Sequence, residues 1–246
     1  LAGATGLHSL VIPAWAQAGG RAAMLGRFED PALRARIRAE ADEAIERRFG
    51  GPEGVYLVDA QRELTDVMAE FAVASPAEAV MRQLEREDEP SMIIATFGSE
   101  ADLVRILQHP TASIACDCGA VAGARAGHPR YWGSFPRVLG RYVREQGVLE
   151  LAEAVHRMTG LPAKTLGMAD RGLLAPGLAA DVTVFDPGTI ADRATFAEPS
   201  LPSTGIVHTL VNGRFAWRDG AATGVQAGRV LTRPRPAGEE RAGSER

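Results

Sequence analysis

The chain has little cysteine: two residues, Cys116 and Cys118, occur among 246, and they flank Asp117. Residues two apart on an extended strand point the same way, but a disulfide between them is strained. We therefore expect two small buried thiols beside Asp117, with a structural bridge or a redox pair as the alternatives. Two thiols without a second pair argue against a closed zinc knuckle. Free thiols also favour a reducing, cytoplasmic setting.

The sequence also lacks a large excess of charge of one sign and long apolar runs. The net charge is −4 and the pI is about 5.8, whereas binding to nucleic acid needs a basic face. No apolar run approaches the roughly 18 residues that a membrane-spanning helix requires. We therefore expect neither nucleic acid nor a membrane as a partner. The first residues lack a Met and a basic segment, so they do not resemble a signal peptide and look like the interior of a longer sequence.

The histidines show no metal-ligand spacing, and no His-x-His motif occurs in the sequence. The five histidines are His8, His109, His128, His156 and His208.

The composition is that of a globular protein, with 46% hydrophobic and 24% charged residues. Its length suits one barrel-sized domain or a smaller domain plus a second element. Apolar periodicity and capping residues predict helices over 30–49, 75–84, 99–107 and 149–158. Apolar β-rich runs predict strands over 55–58, 91–97 and 111–116.

The order strand, helix, strand over 91–116 predicts a βαβ unit with parallel strands covered by helices. Asp117 would then lie where a buried strand ends and a loop begins, which is where α/β barrels keep their chemistry. This makes Asp117 the candidate catalyst. The alternative is that its carboxylate simply caps the next helix.

The pattern changes near residue 166. Asp181–Pro187 predicts a strand, and Asn212-Gly213 within 207–217 is a strong hairpin signal. Residues 166–232 are therefore expected to be antiparallel β. The tail over 233–246 is rich in Pro, Arg, Glu and Gly and is expected to be disordered.

Several segments resemble known enzymes. The ribbon over 170–186 looks like the closing signature of the amidohydrolase superfamily. His128-Pro129-Arg130 and the residues through Tyr142, together with VTVFDPGTIADRATF (182–196), closely resemble the N-acyl-D-amino-acid deacylase (D-aminoacylase) family. The segment over 2–7 looks like the stretch that follows this family's sixth barrel strand. The resemblance covers nearly the whole chain.

The resemblance implies an α/β fold: the C-terminal part of a metal-dependent hydrolase (β/α)₈ barrel plus a small antiparallel β-sandwich segment. Residues 1–165 would belong to the barrel, with a helical insertion or lid over about 7–65. Residues 166–232 would form the sandwich segment.

The resemblance also assigns roles to three residues. Asp117 matches the carboxylate that moves a proton from zinc-bound water, whose pKa the metal lowers to about 7, to the departing amine. Arg130 matches the arginine that holds the carboxylate of the substrate, and His128 is a neighbouring substrate-binding candidate that could instead order the loop. Asp117 is also a candidate ligand of a second, weaker metal site.

The resemblance predicts zinc-dependent hydrolysis of N-acyl-D-amino acids to a carboxylate and a D-amino acid. The other zinc ligands of the family, histidines and a cysteine, are expected upstream of Leu1, so the chain alone is expected to be inactive. One alternative is a cyclic amidase of the dihydroorotase or hydantoinase type, against which the His-Pro-Arg segment argues. The other is a non-catalytic binding or assembly module. The small-molecule substrate is the one expected partner, and the oligomeric state stays open.

Overall fold

The structure is a computed structural model that describes residues 2–89, 91–118 and 128–232, with backbone only at Ala2. These residues fall into two compact units. The first unit contains the described residues of 2–105, 128–131 and 194–201, and the second contains 106–118, 132–193 and 202–232. The predicted boundary at 165/166 does not coincide with this division, because the helices after residue 131 belong to the same unit as the C-terminal strands.

The first unit consists of a small sheet and a group of helices. Its helices are α1 (Leu7–Val11), α2 (Ala14–Gln17), α3 (Gly20–Glu29), α4 (Pro31–Phe49), α5 (Leu64–Phe71) and α6 (Pro76–Arg86). Its strands are β1 (Ala2–Gly6), β2 (Val55–Leu57), β3 (Arg62–Glu63) and β4 (Met92–Thr96). Buried residues from both layers form one apolar core.

Helix α4 shows how the local sequence sets its ends. The Asp30 carboxylate accepts hydrogen bonds from the backbone N–H groups of Ala32 and Leu33 at 2.8 and 3.0 Å, and Pro31 occupies the first turn. Gly50 ends the helix in the left-handed conformation, with φ at 71°. The predicted helix over 30–49 is confirmed. Its buried residues recur at helical spacing: Ile37, Ala41, Ile45 and Phe49.

The first sheet has the strand order β1-β4-β2-β3, and every pair in it is antiparallel. The predicted strand over 91–97 is confirmed as β4, whose residues Ile93, Ile94 and Ala95 are buried. The predicted parallel pairing is wrong, because β4 lies between two strands that run opposite to it. The α/β class holds, while the barrel stays a prediction.

The segment that leads to Asp117 is not the strand that the sequence predicted. Helix α7 (Glu100–Gln108) forms as expected, but residues 112–118 have no regular secondary structure. Within the predicted strand, Ile114 alone is buried. The apolar run over 111–116 therefore lacks the continuous burial and the ladder of hydrogen bonds that a core strand needs, and the βαβ unit does not form.

The second unit carries the remaining helices and a second antiparallel sheet. Its helical part contains most of α8 (Arg130–Arg137), a π-helix (Val138–Glu145), α9 (Leu151–Met158) and α10 (Gly160–Leu166). Its sheet contains β5 (Val182–Phe185), β6 (Ile206–Val211), β7 (Arg214–Arg218) and β8 (Ala221–Ala222) in sequential order.

The C-terminal antiparallel segment is confirmed. The β6–β7 hairpin turns at Asn212-Gly213, both with positive φ, as this dipeptide predicts. The described residues of the second unit form one sheet, so the second layer of a sandwich stays a prediction. The expectation of a disordered tail concerns residues 233–246, which lie outside the described residues.

Helices α1–α4 occupy most of residues 7–49, and their role as an insertion or lid also stays a prediction. No helix within the described ranges is long and apolar enough to cross a membrane.

Candidate functional site

Asp117 is exposed and lies between two cysteines that are joined as a disulfide. Residues two apart on a regular strand have Cα atoms about 6.6 Å apart, since each residue advances the chain by about 3.3 Å. Asp117 instead has φ at 50°, which turns the chain and brings the Cα atoms of Cys116 and Cys118 to 5.2 Å. This distance is ordinary for a disulfide. The expectation of two free thiols is wrong, because it assumed an extended backbone.

Arg157 on α9 holds the segment before Asp117 in place. Its side chain is 5% exposed, and its guanidinium donates hydrogen bonds to the carbonyl oxygens of Leu107 and His109. Its own carbonyl oxygen accepts a hydrogen bond from the N–H of Ile114 at 2.9 Å. Glu153, one helical turn earlier, pairs with the guanidinium at 2.5 Å. The route from α7 to the disulfide is therefore fixed by one buried cation rather than by a strand ladder.

His128 and Arg130 are adjacent in space as well as in sequence. The N–H of Arg130 donates a hydrogen bond to Nδ1 of His128 at 3.0 Å, and the N–H of Tyr131 donates to the carbonyl oxygen of His128 at 3.3 Å. Both bonds lie at the start of α8, whose first N–H groups have no acceptor within the helix. His128 therefore acts as a cap that sets the position of the Arg130 backbone.

The environment of His128 keeps its ring neutral. The residue is 7% exposed, and burial, with the nearby positive charge of Arg130 as the second cause, lowers its pKa to about 4. Because Nδ1 accepts a hydrogen bond, the proton of the neutral ring lies on Nε2. Nε2 has no hydrogen-bond partner among the described residues, so it presents an N–H donor beside Arg130.

One aromatic ring contacts His128, and a second ring packs against the first. The centroid of Phe196 lies 5.9 Å from the His128 ring in an edge-on arrangement, and Tyr56 lies 5.8 Å from Phe196. The Gln61 side-chain amide donates to the carbonyl oxygen of Ala197 at 3.0 Å, a contact within the first unit that holds the Phe196 segment. These contacts explain the burial of His128 and contribute to its lowered pKa.

The helix that begins at Arg130 continues directly into the π-helix. Pro136 lies inside α8 and has no N–H to donate, which favours the switch to the wider helix. Two close contacts dock the π-helix on the loop after β5: Arg144 donates to the Ile190 carbonyl at 2.5 Å, and a Cβ on Gly140 would meet that oxygen at 2.7 Å. A side chain at residue 140 would therefore separate the two elements.

The three predicted site residues are divided between the two units. Asp117 belongs to the second unit, and His128 and Arg130 belong to the first. The structure brings His128 and Arg130 together within the first unit.

The described residues do not supply a zinc site. No group of three or more His, Cys, Asp or Glu side chains that could hold a metal occurs within the described ranges. The sulfurs of Cys116 and Cys118 are bonded to each other, and thiolate is the form of cysteine that ligates metals. Among the described residues, Asp117 is therefore not part of a group of three or more side chains that could hold a metal.

Sequence reasoning missed two residues of this region. Arg157 lies three residues after Ala154 on the buried face of α9, and Glu153 precedes it at the salt-bridge spacing. A cation on an apolar face with a carboxylate at that spacing was a usable signal. Phe196 ends the segment that resembled the deacylases, but nothing local places it against His128.

Comparison with known proteins matches residues 103–216, which include all three predicted site residues, to the amidohydrolase family. The D-aminoacylase of Alcaligenes xylosoxydans xylosoxydans is 46% identical over 147 residues, covering 60% of this chain and 30% of the relative. The N-acyl-D-glutamate deacylase of the same organism is 48% identical over 144 residues, covering 58% of this chain and 29% of the relative. The chain thus spans about a third of the length of these curated relatives.

A solved structure with a similar fold is the N-acyl-D-glutamate deacylase from Bordetella bronchiseptica. It was crystallised with zinc and with a phosphonate inhibitor that mimics the tetrahedral intermediate of the reaction. The TM-score is 0.60 at 34% sequence identity, covering 80% of this chain and 46% of that chain.

The cyclic amidase alternative has weaker support. A dihydroorotase of Lactobacillus acidophilus is 26% identical over 148 residues, covering 55% of this chain and 34% of the relative. The deacylases match at 46% and 48% over stretches of similar length, so the sequence favours a deacylase.

Proposed function

We propose that the enzyme containing this chain hydrolyses the amide bond of N-acyl-D-amino acids, because the chain is similar to N-acyl-D-amino-acid deacylases of the amidohydrolase family. The products are a carboxylate and a free D-amino acid. The observation that carries this proposal is the identity of 46% and 48% with two deacylases that act on such substrates by name. The N-acyl-D-amino acid is the proposed partner.

Asp117 is the proposed proton carrier. Water attacks the acyl carbon, the Asp117 carboxylate takes the proton of that water, and the same proton passes to the amine nitrogen as the C–N bond breaks. A carboxylate suits this task because it accepts a proton and returns it within one reaction cycle. The exposure of Asp117 and its fixed backbone support this role.

Arg130 is the proposed partner of the substrate carboxylate. A guanidinium can bind a carboxylate through two parallel hydrogen bonds, which orients the substrate as well as attracting it. The bond from the Arg130 N–H to His128 fixes the main chain from which this side chain extends. His128 is the proposed neighbouring substrate-binding residue, through Nε2–H, which is buried and has no hydrogen-bond partner among the described residues.

Zinc is the proposed metal of the whole enzyme, because the related N-acyl-D-glutamate deacylase was crystallised with it. The described residues do not form a zinc site by themselves, so we assign no step of this chain's chemistry to the metal. A role for Asp117 as ligand of a second, weaker metal site rests on resemblance alone.

The finer architecture is proposed on the same resemblance. We propose that residues 1–165 contribute the last part of a (β/α)₈ barrel, with a lid over about 7–65, and that 166–232 contribute to a β-sandwich. The cytoplasmic location stays a prediction from the sequence. The disulfide removes the support that free thiols gave to a reducing compartment.

The proposal is tested with the protein encoded by the complete reading frame that contains these residues. An N-acetyl-D-amino acid, its L-enantiomer, an uncharged amide and dihydroorotate are incubated with the purified protein. Release of the D-amino acid in preference to the other three products supports the proposal. Hydrolysis of dihydroorotate alone would replace it with the cyclic amidase.

A further inference from the structure

The disulfide beside Asp117 is placed where another thiol can reach it. Cys118 is exposed and Cys116 is partly exposed, in contrast to a structural disulfide that is enclosed in a core. The neighbouring segment is held elsewhere, through Ile114 and Arg157, so the bond is not the main tie of this loop.

We propose that Cys116–Cys118 is a site of thiol–disulfide exchange, and that opening the bond releases Asp117 from its left-handed backbone conformation. The co-reactant is a dithiol. This inference rests on the proposed function only where it concerns catalysis by Asp117; the exchange itself does not depend on it.

The exchange balances as a two-electron transfer. A thiolate of the dithiol attacks Sγ of Cys118, the bond to Cys116 breaks, and Sγ of Cys116 leaves as a thiolate that takes a proton from water. The second thiol of the reductant, as its thiolate, then attacks the mixed disulfide and expels Cys118. The protein ends with two thiols, and the dithiol ends as a disulfide. Cys118 is the expected point of attack because it is the more exposed of the two.

Opening the disulfide should change the backbone conformation of Asp117. A residue with a side chain is disfavoured at positive φ, although aspartate tolerates this region better than most residues. The disulfide limits Asp117 to conformations that keep the flanking Cα atoms near 5.2 Å. Without the bond, the chain can return to negative φ, which changes the direction of the Asp117 carboxylate. The oxidised form would hold the proton carrier in one position, and the reduced form would not.

The chemical part is tested by alkylation of the native protein with iodoacetamide, before and after treatment with dithiothreitol. Both cysteines lie between Arg105 and Arg125, so one tryptic peptide reports on both. We expect no label before reduction and two labels after it, without denaturant. Two labels in protein purified without a reductant, or labelling that requires denaturant, would overturn the exchange site.

The point of attack is tested with glutathione as a monothiol probe. A mixed disulfide should be trapped on Cys118, which fragmentation on either side of Asp117 locates. A mixed disulfide on Cys116 instead would contradict the assigned order of attack.

The conformational part is tested by NMR, with no need for catalysis. The Cα chemical shift and the HN–Hα coupling of Asp117 should change on reduction, and those of Ile114 should stay the same because Arg157 holds it. The double variant Cys116→Ser/Cys118→Ser should reproduce the reduced values. Unchanged Asp117 signals would overturn the release of its backbone, whether or not the protein proves to be a deacylase.

Discussion

The N–H of Ile114 donates a hydrogen bond to the carbonyl oxygen of Arg157 across 2.9 Å, three residues before Asp117. The guanidinium of the same arginine binds the carbonyl oxygens of Leu107 and His109. One residue of α9 thus holds both ends of the segment over 107–114, which precedes Asp117. The position of the proposed proton carrier therefore depends on a buried side chain that takes no part in chemistry.

Arg157→Ala should destabilise the second unit by about 2–4 kcal/mol. The change leaves two carbonyl oxygens without their buried donor and leaves Glu153 without its partner. Urea unfolding measures the loss, and Lys164→Ala, at an exposed position on α10, is the matched control. Equal stabilities of the two variants would show that Arg157 does not hold the segment.

The His128 ring makes stability depend on pH. In the folded chain its pKa is about 4, whereas an unperturbed histidine titrates near 6.5. Between these values the unfolded chain binds a proton that the folded chain does not, so the unfolding free energy falls as the pH drops from about 6.5 to about 4. His128→Asn should flatten this dependence in urea unfolding at a series of pH values. His156→Asn, at an exposed histidine, should leave it intact, and an unchanged slope in His128→Asn would contradict the assignment.

Gly205 and Gly220 have similar backbone conformations but different surroundings. Alanine substitutions at the two positions therefore distinguish the cost of positive φ from the cost of a steric clash. Gly205 has φ at 79° and Gly220 has φ at 84°, but a Cβ at residue 205 would lie 2.4 Å from Cα of Ile190, and nothing lies within 4 Å at residue 220. Gly205→Ala should cost about 2–4 kcal/mol and Gly220→Ala about 1 kcal/mol in urea unfolding. Equal losses would show that the contact with Ile190 is not close.

Local signals predicted α4, α6, α7 and α9, because the causes of these helices lie within a few residues. Asp30 and Ser75 cap α4 and α6 through their own side chains, and a proline follows each cap. The Asn212-Gly213 turn is equally local, since both residues adopt the positive φ that this hairpin requires.

The strands and the candidate site depended on contacts that the local pattern does not contain. The run over 92–96 forms a strand, but its antiparallel partner is Ala2–Gly6, nearly ninety residues earlier. The disulfide depended on the φ of Asp117, which no periodicity reveals. The contact of Phe196 with His128 joins segments far apart in the chain. Residue types indicated the chemistry, and tertiary contacts decided the geometry.

Arg130→Ala should raise KM for N-acyl amino acids, by about tenfold or more, and leave kcat less affected. A lost pairing with the substrate carboxylate removes binding in the ground state and the transition state alike. The substrate pair for this test is an N-acetyl-D-amino acid and its uncharged amide, assayed with the product of the complete reading frame. A similar loss on both substrates would contradict the role in binding the carboxylate.

The most direct test of the proposed function is the rate of D-amino acid release from an N-acetyl-D-amino acid by the wild-type protein and by Asp117→Asn. Asparagine keeps the size of the side chain but cannot accept and return a proton, so kcat should fall by about a hundredfold or more. Substrate binding should be retained, as should zinc at the site to which Asp117 is not a ligand. Turnover by Asp117→Asn at the wild-type rate would show that Asp117 is not the proton carrier.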